Sequence, residues 1–166
     1  AGMDSQAYIG ASTPALSPPW QQDPMLNRTN FLYRHTRALA KARQSCSALG
    51  RGAMYFRWVA PAGGAQTMAF SRVFNSQEIV VLVNPSENGW NVPDITVDAS
   101  LNQAGTQYVD LLDPSRTATV KVSDGGGVAL RFNNRGQQQP HTVSVLVNAA
   151  NVQPFDKNLG VSLCKQ

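Results

Sequence analysis

Acidic residues are scarce in this chain. Glutamate occurs only at Glu78 and Glu87, with eight aspartates beside them. Charged residues make up 14% of the 166, against roughly 25% in typical soluble domains. The net charge of +4, from 14 Lys and Arg against 10 Asp and Glu, thus reflects missing acids. A nucleic-acid-binding protein gathers its cations on one face or in one run. Here they are scattered, and the one local group (Arg34, Arg37, Lys41, Arg43) fits a solvated helix face, so a nucleic-acid partner is not expected. No stretch approaches the ~20 apolar residues that span a bilayer, so no membrane partner is expected. The start, AGMDSQAYIG, has neither the charged region nor the apolar core of a signal peptide.

Cysteine is equally sparse. Cys46 and Cys164 are too few for a disulfide scaffold and lack metal-ligand spacing. One bridge between them and two buried thiols both remain open. Asn27-Arg28-Thr29 fits a glycosylation sequon, a short and weakly specific match. No G-x-S-x-G, phosphate loop or G-x-G-x-x-G is present. The DGGG at 124–127 lies between strands, so it does not open a phosphate-binding helix. His35 and His141 have no evident partner, and His35 reads as a packing residue. Asp94, Asp113 and Asp124 sit at turn positions, where capping is their ordinary role. Neither a metal site nor a cofactor is expected, and no catalytic residue can be assigned.

What is present divides the chain. Residues 1–30, rich in Gly, Ser, Pro and Gln, have no period, and their prolines exclude a helix. Residues 31–50 carry one helical stripe: Phe31, His35, Ala38, Leu39, Ala42, Cys46 and Leu49. Thr29 or Asn30 can cap it, and Gly50 can end it in a left-handed turn. Residues 51–150 read as strands: AMYFRWVA, TMAFSRVF, EIVVLVN, DITVD, TQYVDLLD, TATVKVS, GVALRF and TVSVLVN. EIVVLVN is apolar on both faces, as in a strand covered on each side. Asp124-Gly125-Gly126 predicts a hairpin. Ala118, Val120 and Val122, Val128, Leu130 and Phe132, and Val143, Val145 and Val147 alternate with polar residues. The fold class that follows is mainly β: an antiparallel Greek-key sandwich of about eight strands after one α-helix, with 151–166 a C-terminal tail.

The order of these parts is similar to the C-terminal end of the α-amylase family, glycoside hydrolase family 13. DPMLNR at 23–28 resembles the loop after the last barrel strand. YRHTRALAKARQSCSALGRG resembles the final barrel helix, MAFSRVFNSQEIVVLVNPS an early strand pair of the following β domain, and YVDLLDPS a later strand. The resemblance covers about residues 20–148, and Tyr33 to Pro85 carries most of it. It implies that Asp23 and Arg28 stand where the family holds a sugar. Met25 and Leu26 depart from the family's shorter gap, and shaping of the loop is the favoured role for both residues.

A retaining glycosidase needs two carboxylates ~5–5.5 Å apart. In the family these come from earlier barrel strands, which this chain does not contain. The resemblance therefore implies a non-catalytic part of a secreted or periplasmic enzyme acting on α-glucans. Its partner would be the missing (β/α)8 barrel, and calcium is not expected in this region. Self-association through the helix stripe is a further expectation. The alternative is a free-standing starch-binding module, which needs exposed aromatic rings against a sugar face. Trp90, in the polar SENGWNVP, is the first candidate ring and Trp20 the second, while Trp58 is expected in the core.

Overall fold

A computed structural model describes residues 29–60, 66–134 and 136–165. Trp20, Asp23 and Arg28, with nearly all of the irregular segment 1–30, lie outside the described residues. Helix α1 spans Phe31–Ser45, capped by the Asn30 side chain, which accepts from the Leu32 N–H at 2.9 Å. A short α2, Ser47–Arg51, follows. Ten strands come next: β1 Ala53–Val59, β2 Met68–Phe74, β3 Gln77–Asn84, β4 Trp90–Asn91, β5 Ile95–Val97, β6 Gln107–Asp110, β7 Thr117–Val122, β8 Val128–Phe132, β9 Gln137–Gln138 and β10 Thr142–Asn148. The mainly β, antiparallel class expected from the sequence is the one observed.

Eight strands form one sheet in the order β1-β2-β3-β10-β6-β7-β8-β5, and β4 pairs with β9 in a second, two-stranded sheet. The run β6-β7-β8, with β5 returning beside β8, is a Greek key. The large sheet curls until its edge strands, β1 and β5, come into contact. Inside the curl lies one core, including Val80, Leu82, Ile95, Tyr108, Val120, Leu130 and Leu146. The second core lies between the outer face of the sheet and the helices, and contains Ala38, Ala42, Ile79, Leu111, Val145 and Val147. β3 serves both: Val80 and Leu82 face inward while Ile79 packs outward. That is why its sequence is apolar at every second residue twice over. β10 serves both in the same way, through Leu146 on one side and Val145 and Val147 on the other.

The turns follow the local chemistry. β7 and β8 close around Asp124-Gly125-Gly126-Gly127, with Gly126 at φ 80. β2 and β3 close on two residues, Asn75 at φ 47 and Ser76 at φ 60. Asparagine tolerates the left-handed region through local hydrogen bonding, so this tight hairpin forms without glycine.

Three expectations need correction. The helix does not run unbroken to Leu49: Cys46 leaves helical geometry at φ −97, ψ 97. There the Ser45 hydroxyl donates to Ala42 O and accepts from the Cys164 N–H at 3.3 Å, and Cys46 is bonded to Cys164. The C-terminal strand of chain is tied on where the helix breaks. Gly50 lies within α2, and Gly52 ends it with an ordinary negative φ. Residues 151–165 are not a loose tail either. Val161 and Cys164 are buried in the outer core, with bridges between Val152 and Cys164 and between Asp156 and Val161. Finally, Val122 is 64% exposed despite its alternation, because β7 runs past the core into its hairpin.

Gly52 is required for a steric reason. A Cβ there would stand 2.5 Å from the Ala48 carbonyl oxygen and 2.9 Å from the Val73 backbone. Both neighbours are main chain and cannot rotate away. Gly52→Ala is expected to destabilise by about 1–3 kcal/mol, the cost of overpacking. A urea midpoint unchanged from wild type would show that α2 and β2 shift apart freely.

Candidate functional site

Four features of the surface and core could carry function, and the first is the tryptophans. Trp90 is not an exposed platform. It is only 8% exposed, and its ring stacks on Trp58 with centroids 4.7 Å apart at 26°. The cause is the small sheet. β4 pairs with β9, and the Asn84 amide donates to Asn88 O at 2.9 Å and Gln139 O at 3.0 Å. Those bonds fold the 84–90 loop over the end of the core and carry the indole inward. Trp58 packs against the same core, as expected, after a register shift in β1 between Phe56 and Trp58.

The second feature is a buried polar node at the start of β3. The Glu78 side chain is fully buried, and Arg57 Nη2 lies 2.6 Å from its Oε1. The Ser71 hydroxyl also donates to Oε1, while Asp98 N–H and the Asn102 amide donate to Oε2 at 2.8 and 2.6 Å. The Tyr108 hydroxyl donates to Asn102 Oδ1 at 2.5 Å, and burial pushes its pKa well up. Every acceptor position on the carboxylate faces a protein donor, so the node locks strands together and has no room to move a proton to a substrate.

The third feature is a polar cavity of about 450 Å³ between the β6–β7 turn and the β9–β10 segment. Asp110, Asp113, Arg116, Gln137, Gln139 and Thr142 line it, with Ser144. Arg116 Nη1 donates to Gln138 Oε1 and, at 2.6 Å, to Ser144 Oγ. Its guanidinium stacks over Phe132, 4.3 Å from the ring centroid. Asp110 Oδ1 accepts from the Leu112 N–H at 3.0 Å and the Val145 N–H at 3.1 Å. Desolvation raises the Asp110 pKa above the ordinary 3.8, against the opposing pull of these bonds and of Arg116.

That direction fixes a sign. A raised carboxyl pKa means that folding favours the protonated form. The group's stabilising contribution is full below the ordinary value and is lost as pH rises through the raised one. Asp110→Asn keeps an amide oxygen for the two N–H groups and carries no charge to desolvate. Relative to wild type, its melting temperature is expected to improve as pH rises from about 4 to about 7. A difference constant across that range would contradict the burial argument.

The fourth feature is apolar and exposed. A groove of about 330 Å³ runs between the helices and the outer sheet face, lined by Leu39, Leu49, Met54, Phe70, Val81 and Val145, with Arg43 and Arg72. Beyond it, Phe31 (73%), Leu32, Met54 and Phe56 (62%) are exposed. Phe31, expected at the head of the buried stripe, instead stacks on His35 at 5.7 Å, and burial begins only at Ala38. Ala38, Ala42 and Cys46 of the stripe are buried in the outer core, while Leu39 and Leu49 line the groove and Phe31 is exposed.

Cys46 and Cys164 form a disulfide, with Cα atoms 5.1 Å apart, which decides between the two states the sequence left open. Among the described residues, no group of three or more His, Cys, Asp or Glu could hold a metal ion, and no helix is long and apolar enough to cross a membrane. Sequence reasoning missed Arg57, Asn102 and Arg116. Glu78 alone gave a signal, as one of two glutamates and the residue that opens EIVVLVN.

No protein-family model matches the chain, and no curated protein matches it. Solved structures do share the fold. One is CldA, a cyclomaltodextrin glucanotransferase with a three-domain ABC distribution. The TM-score is 0.55 at 18% identity, over 74% of this chain and 23% of that one. Another is the gamma-CGTase from Alkalophilic bacillus clarkii. Its TM-score is 0.51 at 21% identity, over 78% of this chain and 18% of that one. The chain thus spans less than a quarter of either protein. At these identities the likeness establishes the fold.

Proposed function

We propose that this chain is the non-catalytic C-terminal part of an α-amylase family enzyme acting on α-glucans, and that it braces the catalytic barrel. The motif order from DPMLNR to YVDLLDPS supports this reading. So does the shared fold with a small part of two glucanotransferases. The division into a loop and helix belonging to the barrel, 1–30 and 31–50, and a β domain from 51 onward belongs to the same proposal, as does secretion.

The observation that carries it is the exposed apolar pair Met54 and Phe56 beside the helix groove, with Phe31 and Leu32 exposed at the start of the helix. Met54 and Phe56 are two residues apart on an edge strand and point to one side. A contiguous apolar patch on a folded unit marks a contact surface. The charged side chains that line the groove are Arg43 and Arg72. From residue 29 to residue 77 the chain carries Arg34, Arg37, Lys41, Arg43, Arg51, Arg57 and Arg72 and no acid. A barrel surface that covers this face would present apolar side chains ringed by carboxylates.

The test is Met54→Lys with Phe56→Lys. In the chain alone these exposed changes are expected to move stability by less than about 0.5 kcal/mol. In the longer enzyme they are expected to loosen the barrel and lower its activity on α-glucan. Unchanged activity and melting temperature of the longer enzyme would contradict the bracing role. A free-standing starch-binding module would instead show saturable binding of soluble starch by the chain alone, centred on Tyr55 and Phe56.

A further inference from the structure

We propose that Asn88-Gly89 is a site of self-modification, where Asn88 converts through a cyclic imide to aspartate and isoaspartate, and that the isoaspartate form releases Trp90 from its stack on Trp58. Asn88 is the one asparagine in the sequence that precedes a glycine. That order matters, because the reaction brings the next residue's backbone nitrogen onto the asparagine side chain. Glycine has no Cβ to block the approach and the widest choice of backbone angles. Asn88 and Gly89 are both exposed, in the stretch between β3 and β4 that belongs to no strand. The Asn88 side-chain amide and the Gly89 N–H have no hydrogen-bond partner among the described residues. Both reacting groups are therefore open to water. Asn75 makes the contrast: it is exposed too, but it precedes Ser76 and both are held at positive φ in a two-residue turn.

The reaction balances with water as its sole co-reactant. The Gly89 nitrogen attacks Asn88 Cγ and forms the ring C–N bond. The Cγ–Nδ2 bond breaks, and Nδ2 leaves as ammonia with the proton that the Gly89 nitrogen has lost. Water then opens the ring at one of its two carbonyls. Opening at Cγ restores the ordinary main chain and leaves an aspartate side chain. Opening at the Asn88 main-chain carbonyl carbon routes the chain through Cβ and Cγ, which is isoaspartate. Either product carries a carboxylate where a neutral amide stood.

The isoaspartate form acts on the contacts that seat Trp90. The Asn88 carbonyl oxygen accepts from the Asn84 amide at 2.9 Å, and in isoaspartate that oxygen belongs to a carboxylate outside the path of the chain. The path itself gains a methylene between Asn88 and Gly89. There is little room for it beside β9: a Cβ on Gly89 would stand 2.8 Å from Gln137 Nε2 and 2.9 Å from its Cδ. The longer chain must bulge away, directly before the point where Trp90 pairs with Gln138. Close-packed contacts do not absorb a backbone shift of that kind, so the indole leaves its place 4.7 Å from Trp58. Aspartate keeps the original path and leaves the stack in place. This inference is independent of the bracing role, because it uses neither Met54 nor Phe56.

The experiment stores the 15N-labelled chain in mildly alkaline buffer at body temperature. Peptide mass mapping and an isoaspartate-specific methyltransferase locate the products, and NMR follows the Trp90 indole N–H. Asn88 is expected to be lost faster than Asn75 and every other asparagine. The Trp90 indole resonance is expected to shift to the position of a solvent-exposed indole in the isoaspartate fraction and to stay in place in the aspartate fraction. Asn88→Gln changes an exposed residue, so the fold should persist. Its longer side chain closes a less favourable ring, so both changes should disappear on the same timescale. Loss of Asn88 no faster than that of Asn75 would overturn the site. A Trp90 resonance unmoved in the isoaspartate fraction, or one that shifts equally in stored Asn88→Gln, would overturn the release. Failure here leaves the Met54 and Phe56 test of the bracing role untouched.

Discussion

Glu78→Ala is expected to destabilise the domain by about 3–5 kcal/mol, the cost of stranding one partner of a buried ion pair. The Glu78 side chain is fully buried and Arg57 is 17% exposed. Removing the carboxylate leaves a largely buried guanidinium with the Ser71 hydroxyl at 2.7 Å and the Tyr55 ring 5.6 Å away, and no counter-charge in contact. It also releases the donors Asp98 N–H and Asn102, and with them the anchor of the Tyr108 hydroxyl. The node joins β1, β2, β3 and the 98–102 turn to β6, so its loss is felt on both sides of the inner core. A domain of ordinary stability has about 5–15 kcal/mol in total. Two controls separate charge from contact. Glu78→Gln keeps the shape and should lose less. Arg57→Met combined with Glu78→Leu removes both charges and should be less destabilised than Glu78→Ala, because no ion is left without its partner. Urea midpoints at constant m-value report all three. If the double variant lost as much as Glu78→Ala, packing rather than unpaired charge would be the cause.

Loss of the Cys46–Cys164 disulfide is expected to cost about 2–5 kcal/mol. The bond closes a loop with a sequence separation of 118. In the chain-entropy account, a loop of about 100 residues is worth about 4.7 kcal/mol through the unfolded state. For a chain of this length that is a fall in melting temperature of about 4–20 °C. Cys46→Ala with Cys164→Ala is the suitable variant, since both sites lie in the outer core and a hydroxyl there would be buried. The folded state should also respond locally. Ser162 N–H donates to Leu111 O and Lys165 N–H to Asn151 O, both at 2.8 Å. Without the bridge these amides should exchange faster than those of β3. Equal protection throughout, with a melting temperature within a degree or two of wild type, would show that packing of Val161 and Leu163 holds the segment unaided.

Much of the β architecture was legible because its signals are local. β3 announced two covered faces by being apolar throughout, and the Gly-rich hairpin between β7 and β8 announced itself by its turn residues. The helix stripe was correct from Ala38 onward. Phe31 and His35 continue its period on the first turns of the helix, where Phe31 is exposed among the described residues, and periodicity cannot report where a covering surface stops. Trp90 was misplaced for a related reason. β4 and β9 are two residues each, too short to show alternation, and their pairing across 48 residues (Gln138 with Trp90) folds a polar loop inward. The candidate site residues divide similarly. A disulfide between Cys46 and Cys164 was one of two readings. The Arg57–Glu78 and Arg116–Gln138 contacts join residues 21 and 22 apart, at positions where no motif sets their spacing.

The proposal that this chain belongs to a larger α-glucan-active enzyme has a direct test in the source cells. An antibody raised against the 166 residues is used to identify the native polypeptide and to capture it for assay on soluble starch. The account predicts a polypeptide larger than 17.9 kDa by at least a (β/α)8 barrel of about 250 residues, with starch-converting activity in the captured material. A native polypeptide of about 17.9 kDa, with no activity on starch, would contradict it.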